Sequence, residues 1–273
     1  MDIDRVVELI PPVIVELKKE YAFSNDAIKD GIFRLLEKHC TVVYYPLNNE
    51  KTRGFHVKRF VKDKREDFVF INTANPVSEQ IFGAAHELGH VWEVANKILK
   101  EMPGQSFTSD EEEIIINRFA AELLMPQDIF MHSFFIHLDD MHLNAESLKL
   151  EDLIKLAVMQ MNDYMVPYEA VRRRLVETKI ISSQVSDILD KHRATISEVV
   201  KLFAQDQNTM LDRVTAKKTI PGLRTMLEQI ENNKLLDDYT ICKIKKDFDI
   251  DSVSGSLDEI VNVYTGDQLN GQK

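Results

Sequence analysis

Hydrophobic residues recur at helical spacing over most of the chain and form strand-like runs in only one region. Apolar positions at i, i+3, i+4 and i+7 predict helices, whereas short runs rich in β-branched and aromatic residues predict strands. We therefore expect an N-terminal helical segment to about residue 39, strands near 40–45 and 54–72, and helices from there to about residue 181. The predicted fold class is α+β, mainly helical with a small sheet, plus a helical C-terminal region.

Two amphipathic helices are predicted directly after the strands. In the first, Asn75 is the expected N-cap and Pro76 the first helical residue. The second is expected to begin with a capping box formed by Ser109 and Glu112. The apolar series of the first helix consists of Ile81, Ala84, Ala85, Leu88, Trp92, Ala95 and Leu99.

The helical pattern divides the chain into three predicted parts. Residues 1–181 form the first domain, residues 182–254 a helical appendage, and residues 255–273 a tail that we expect to be flexible. A stripe of apolar residues from Val185 to Phe203 predicts the first helix of the appendage. Shorter helices are predicted near 221–231 and 238–247.

Within the first domain, residues 151–178 resemble a helix-turn-helix, with a turn expected at Asn162 and Asp163. Its second helix carries Arg172, Arg173 and Arg174, but acidic residues stand among them. Three arginines do not identify a reader of bases. The favoured interpretation is a structural unit packed on the core, and DNA docking is the alternative.

Composition and charge limit the classes of function. The 273 residues carry a net charge of −11, which argues against nucleic-acid binding by the chain as a whole. The acidic start lacks the basic end of a signal peptide, and no run of 18 apolar residues occurs, so a cytoplasmic protein without a membrane span is predicted. Cys40 and Cys242 are expected to be reduced, mostly buried thiols.

Five residues of the first amphipathic helix, from His86 to His90, carry the clearest chemistry: His-Glu-Leu-Gly-His. At i and i+4 the two imidazoles project from one helix face, where they can bind a single Zn²⁺ at roughly 2.0–2.1 Å. Glu87 follows the first histidine and points to the side of the metal, where it can hold water. Zinc lowers the pKa of water to about 7, so Glu87 is predicted to act as the general base.

A third protein ligand is expected from the second amphipathic helix. Glu113 is the predicted ligand because Asn117 lies one turn further on the same face, where it can orient a metal-bound imidazole. Glu93, three residues after His90, is the competing ligand, and a surface or supporting role is favoured for it. Tyr164 is a conceivable donor to the oxyanion, although a packing role is favoured.

Together these motifs resemble the ImmA/IrrE family of bacterial and phage metallopeptidases. After His-Glu-Leu-Gly-His, the segment from Glu113 to Pro126 reads Glu-Ile-Ile-Ile-Asn-Arg-Phe-Ala-Ala-Glu-Leu-Leu-Met-Pro. The family pattern has a Glu four residues before an Asn, then Phe-Ala and Leu-Leu-Met-Pro. Ile115, Ile116 and Pro167 depart from its usual residues, which bears on substrate choice more than on chemistry. The resemblance covers about residues 30–181.

The resemblance implies a zincin-like fold and a cytosolic endopeptidase of narrow specificity that cleaves a helix-turn-helix repressor. One Zn²⁺ per chain is expected, with Mn²⁺ or another divalent ion as the alternative. The expected partner is a protein substrate, and neither nucleic acid nor membrane is expected. In peptidases of this build an edge strand pairs with extended substrate, and Phe68–Ile71 is the expected edge. The alternative function is a DNA- or protein-binding regulator with a structural or vestigial metal site.

Basic residues crowd the stretch from 51 to 65, with Asp63 as its one acid. A solvated β-hairpin or loop beside the catalytic cleft is the favoured interpretation, and a basic patch for an acidic peptide or DNA is the alternative. The cationic and histidine residues of the stretch are Lys51, Arg53, His56, Lys58, Arg59, Lys62, Lys64 and Arg65. His56 and the other histidines outside the metal motif show no sequence spacing that pairs them with a carboxylate.

Overall fold

The predicted α+β class is confirmed by a computed structural model that describes residues 3–21, 27–49, 51–203 and 211–250. The strands are β1 (Thr41–Tyr45), β2 (Gly54–Val61) and β3 (Lys64–Asn72). The helices of the described residues are α1 (Ile3–Tyr21), α2 (Gly31–His39), α3 (Val77–Val91), α4 (Val94–Lys100), α5 (Ser109–Leu124), α6 (Gln127–Asp140), α7 (Leu150–Tyr164), α8 (Tyr168–Glu177), α9 (Ser183–Lys191), α10 (Arg193–Phe203), α11 (Leu223–Asn232) and α12 (Asp238–Asp247). No helix among these combines the length and the apolar character needed to cross a membrane.

The described residues fall into two compact units, divided between Lys217 and Lys218. The first contains the sheet and α1 to α10, and the second contains α11 and α12. The stripe predicted as one helix from Val185 to Phe203 is two helices, because α9 ends before His192 and α10 begins after it. The domain boundary predicted at residue 181 stays a prediction, and the predicted flexible tail lies outside the described residues.

The sheet has the order β1-β3-β2, so β3 is its central strand. Strand β1 runs parallel to β3, whereas β2 and β3 form an antiparallel hairpin. Its two turn residues, Lys62 and Asp63, have φ of 47° and 62°, as a tight two-residue hairpin turn requires. The prediction that Phe68–Ile71 is an edge is wrong: this apolar run has a partner on both sides, and β1 and β2 are the edges.

Helix α3 begins at Val77, so the prediction that Asn75 is its N-cap is wrong. The first backbone N–H groups of a helix need acceptors from elsewhere. Here the N–H groups of Val77 and Ser78 donate to the carbonyls of Arg213 and Leu211, at 3.0 and 3.1 Å. The metal-motif helix is therefore capped by a segment more than a hundred residues later, which local sequence signals do not reveal.

The other boundaries of the two motif helices also differ from the predictions. Helix α3 ends at Val91, and Glu93 adopts a left-handed conformation with φ of 52° before α4 begins. The predicted continuous helix to Leu99 is therefore interrupted. The capping box of α5 is formed by Thr108 and Glu111, one residue before the predicted pair, with the Glu111 N–H donating to Thr108 Oγ1 at 3.3 Å.

In the helix-turn-helix-like segment, α7 continues to Tyr164, so its turn lies at residues 165–167 and not at Asn162 and Asp163. Two of its three arginines are buried. Arg172 of α8 donates to the carbonyl of Ser186 on α9 at 3.2 Å, and Arg174 donates to the carbonyl of Met125, directly after α5, at 3.0 Å. These guanidinium groups connect neighbouring helices of the first unit.

Helices α3 and α5 approach closely at Gly89, between the two histidines of the motif. A Cβ atom at position 89 would lie 2.9 Å from Phe119 Cδ1 and 3.0 Å from Ile116 Cγ2. Both of these side chains belong to the fully buried core. Only glycine therefore allows this separation, which brings the N-terminal half of α5 alongside the histidine face of α3.

We expect Gly89→Ala to destabilise the protein by up to about 2 kcal/mol, because overpacking of about 1–3 kcal/mol exceeds the gain in helix propensity of about 1 kcal/mol. The matched control is Gly31→Ala at the start of α2, where an added Cβ makes an ordinary contact of 3.8 Å with Ile28. That control should stabilise by about 0.4–1 kcal/mol. Urea unfolding of both variants measures the difference, and equal stabilisation by both would contradict the proposed close approach.

Candidate metal centre

Three side chains from two helices converge at the face where α3 meets α5. The Nε2 atoms of His86 and His90 lie 3.2 Å apart. Glu113 Oε2 lies 3.2 Å from His86 Nε2, and Glu113 Oε1 lies 3.3 Å from His90 Nε2. Among the described residues, these three form the one group of histidine and acidic side chains spaced to bind a metal ion.

The distances within this cluster fit a tetrahedral zinc site. With ligands at about 2.0–2.1 Å, the edge of a zinc tetrahedron is roughly 3.3–3.4 Å. The separations of 3.2 and 3.3 Å between the nitrogen and oxygen atoms are close to that edge. Two imidazoles and a carboxylate leave a fourth position open, which is typical of catalytic zinc sites, and the same donors also accept Mn²⁺, Co²⁺ or Fe²⁺.

Asn117 lies within hydrogen-bonding distance of His86. Its Nδ2 donates to the carbonyl of Glu113 at 2.8 Å, so its Oδ1 is the atom that faces His86 Nδ1, at 3.1 Å. The Nδ1 of His86 must then carry the proton, which leaves a lone pair on Nε2 directed at the cluster. The arrangement matches the one predicted for Asn117 from the sequence, and the roles of all five residues are taken up as a proposal below.

The surroundings of the histidines favour their neutral, metal-binding form. Burial, together with the neighbouring His90, lowers the pKa of His86 to about 4. Burial also lowers the pKa of His90, against the opposing effect of Glu113. Both rings can therefore offer lone pairs at neutral pH without first losing a proton.

Glu87 is buried beside the edge strand β2, with only 5% of its surface exposed. A Cβ atom at Gly54 would lie 3.3 Å from Glu87 Cγ and 3.4 Å from its Oε1, so the absence of a side chain at Gly54 leaves room for this carboxylate. Burial, with the negative charge of Glu113 as a further cause, raises the pKa of Glu87 to about 8. A carboxyl group with a pKa near neutrality is suited to exchanging protons during a reaction.

Two other candidates from the sequence are engaged elsewhere. Glu93 accepts hydrogen bonds from Arg65 at 2.7 Å and from Lys58 at 3.1 Å, so it does not join the cluster. Tyr164 is buried, and its hydroxyl forms a hydrogen bond with Ser133 Oγ at 2.9 Å. These contacts agree with the supporting role favoured for Glu93 and the packing role favoured for Tyr164.

His56 was missed as a residue of this region because its carboxylate partner is eleven residues away. The Nε2 of His56 lies 2.6 Å from Asp67 Oδ1, and its ring centroid lies 6.4 Å from that of His90. In the hairpin His56 is opposite Val69, so Asp67 is its diagonal neighbour on the same face. The hairpin register was the signal that would have revealed the pair.

The two cysteines are separate from the metal cluster. Cys40 is partly buried, and burial raises the pKa of its thiol to about 12, which makes it a poor nucleophile. Cys242 is exposed, so the expectation that both thiols are mostly buried is wrong for this one. Its exposure reflects the small size of the second unit, where only two of the described residues, Leu227 and Ile241, are buried.

A cleft of about 610 Å³ lies beside the cluster, and Asn117, the hydrogen-bond partner of His86, is one of its lining residues. Its walls come from α3, α5, α8 and α9. Each of its arginines is paired with an acidic residue, as Arg118 is with Glu177 at 2.6 Å. The lining combines these ion pairs with apolar side chains. The apolar residues that line it are Phe82, Ile114, Ala121, Pro167, Ala170 and Val176.

The family comparison matches this part of the chain. The model of the Peptidase_M78 family, described as the IrrE N-terminal-like domain, matches residues 37–176. This span covers just over half of the chain and includes the sheet, the candidate metal cluster and α8 as far as Val176. The match confirms the ImmA/IrrE resemblance of the sequence motifs. No curated protein matches the chain.

We expect Glu113→Ala to reduce zinc binding strongly, because it removes the candidate ligand that α5 contributes to the cluster. Zinc content of the purified protein, with about one ion per chain expected for a single three-ligand site, is the measurement. Glu112→Ala is the matched control, since this neighbouring carboxylate is exposed and lies outside the cluster. Equal loss of zinc in both variants, or full retention in Glu113→Ala, would contradict the assignment.

Proposed function

Because the chain belongs to the Peptidase_M78 family of IrrE N-terminal-like domains, we propose that it is a zinc-dependent endopeptidase. The observation that carries the proposal is the convergence of His86, His90 and Glu113 within 3.3 Å of one another, beside the buried carboxyl group of Glu87. We assign the first three residues as ligands, Glu87 as the general base, and Asn117 as the residue that orients His86.

In this mechanism the zinc ion, when bound, supplies a Lewis acid that polarises the scissile carbonyl and lowers the pKa of water. Glu87 accepts a proton from the attacking water at its carboxylate and then donates it to the leaving amine. Its burial against Gly54 keeps bulk water away from this proton. Glu113 and the two imidazoles hold their positions because α3 and α5 are packed rigidly at Gly89.

The edge strand β2 is the proposed docking site for substrate. Its outer side has no partner strand among the described residues, and its first residue, Gly54, lies beside Glu87. An extended peptide can add to such an edge through main-chain hydrogen bonds. The substrate must therefore be extended where it is cut, as in a flexible linker or a locally unfolded segment.

The cleft next to Asn117 is the proposed site for substrate side chains. Ile114, directly after the ligand Glu113, lines this cleft and is 44% exposed. Exposed apolar surface at the mouth of a polar site is suited to an apolar side chain near the scissile bond. The identity of the protein cleaved follows only from the family resemblance, which points to a helix-turn-helix repressor in the cytoplasm.

The alternative function, a DNA-binding regulator with a structural metal, is supported less well. Arg172 and Arg174 in the helix-turn-helix-like segment are buried, and Arg173 is paired with Glu169 at 2.8 Å. DNA docking needs cations that are free to neutralise phosphates. A salt-sensitive gel shift with a defined duplex would favour this DNA-binding alternative. A metal site that binds no ion would instead favour the other alternative, a protein-binding scaffold.

We expect Glu87→Gln to lower kcat by about 10²–10⁴-fold, because the amide cannot accept the proton of the attacking water. Zinc content and the unfolding transition should stay unchanged, since Gln has the shape of Glu and the ligands are untouched. The assay is cleavage of a proteome-derived peptide library, with new termini identified by mass spectrometry. Equal cleavage by parent and variant would contradict the proposed role of Glu87.

We expect Ile114→Ser to lower kcat/KM at least about fivefold, because the loss of buried apolar contact with substrate amounts to roughly 1 kcal/mol or more. The matched control is Ile129→Ser on α6, which has a similar exposure of 42% and lies outside the cleft. Both variants should retain their zinc. If the two substitutions change kcat/KM equally, the cleft is not where the substrate binds.

A further inference from the structure

We propose that a polar cluster on the β2–β3 hairpin holds His90 in its metal-binding orientation. This hairpin clamp consists of His56, Lys58, Arg65 and Asp67 on the hairpin, together with their partner Glu93 between α3 and α4. The inference rests on the proposed metal site and assigns a role to the basic stretch that the sequence singled out. None of these residues contacts the metal position directly, so they are positioning residues.

One face of β2 follows α3 turn by turn. Alternate residues of a strand share a face, which places Gly54, His56 and Lys58 together. Gly54 lies against Glu87, the ring of His56 lies beside that of His90, and Lys58 Nζ donates to Glu93 Oε1 at 3.1 Å. Strand β2 therefore approaches α3 at Glu87 and at His90, and it also contacts Glu93 just beyond the end of the helix.

Arg65 fixes the backbone directly after His90. Its guanidinium donates to the carbonyl of Val91 at 3.1 Å and to Glu93 Oε1 at 2.7 Å. Glu93 has a left-handed conformation, which is unfavourable for a residue with a side chain and persists only where surrounding contacts impose it. The clamp supplies such contacts and so determines where α3 ends.

Asp67 fixes the ring of His56. Burial alone would raise the pKa of Asp67, but hydrogen bonds from Arg65 and His56 hold it below its ordinary value. Because an ionised carboxylate only accepts, His56 Nε2 carries the proton of the 2.6 Å contact. With its side chain only 7% exposed, the ring has no freedom to turn away from His90.

The two metal-binding histidines are supported differently. His86 has a hydrogen bond from its Nδ1 to Asn117. Among the described residues, no hydrogen bond to His90 Nδ1 is present, and the ring of His56 lies nearly parallel to that of His90, with the two centroids 6.4 Å apart. The orientation of His90 therefore depends on packing against the ring of His56, which Asp67 holds in place. Loss of the clamp should allow the His90 ring to change orientation.

The test compares variants on the two faces of the same hairpin. His56→Ala removes the ring beside His90, and Arg65→Met removes the bonds to Val91, Glu93 and Asp67. Arg59→Met is the matched control, because Arg59 pairs with Glu66 at 2.6 Å on the opposite, exposed face. Three quantities are measured for each variant: the zinc dissociation constant, the visible absorption spectrum of the Co²⁺ form, and the unfolding free energy without metal.

We expect His56→Ala and Arg65→Met to weaken zinc binding by about 10–100-fold, as loss of supporting residues around metal ligands typically does. Both should also change the Co²⁺ absorption bands, because a displaced His90 alters the ligand field. Arg59→Met should leave the affinity within about threefold of the parent, since exposed ion pairs contribute little. If His56→Ala does not fold, the same three quantities are measured for His56→Phe, which keeps the ring volume but loses the bond to Asp67.

Two results would overturn the inference alone. In the first, the clamp variants bind zinc as tightly as the parent. In the second, they unfold more easily without metal while affinity and Co²⁺ spectrum stay unchanged, which identifies the clamp as purely structural. If the parent chain binds neither zinc nor Co²⁺, the proposed peptidase function fails together with the inference.

Discussion

The close approach of α3 and α5 at Gly89 is the constraint on which the site depends. Glu113 lies on a different helix from the two histidines and can reach them only if the helix axes are close. Phe119 and Ile116 fill the space where a side chain at position 89 would lie. The glycine inside the metal motif is therefore a packing residue, and the apolar core and the polar cluster are two sides of one helix interface.

Electrostatics and burial act together at this interface. The chain carries an excess of acidic residues, and two of them, Glu87 and Glu113, lie close enough for one to raise the pKa of the other. Without a metal ion, Glu87 is therefore mostly protonated at neutral pH, and the positive charge of a bound divalent cation would favour its ionised form. Glu113 is half exposed and Glu87 is buried, so Glu113 is open to solvent and Glu87 is shielded from it.

The parts of the fold that the sequence predicted are those set by local spacing. Periodicity placed α3, α5 and the strands, and the i, i+4 pattern selected Glu113 with Asn117. The parts it missed depend on contacts between distant segments. The position of β3 at the centre of the sheet, the pairing of His56 with Asp67, and the interruption of α3 at Glu93 all require the hairpin register or its docking on α3. No local pattern contains that information.

The backbone cap at the start of α3 comes from residues that lie outside the segment matched by the family model. The family match ends at residue 176, yet the carbonyls that satisfy Val77 and Ser78 belong to Leu211 and Arg213. A protein shortened to the matched span would leave the first turn of the histidine-bearing helix open to water and free to fray. In this chain the segment that the family model matches is therefore shorter than the segment that must fold together.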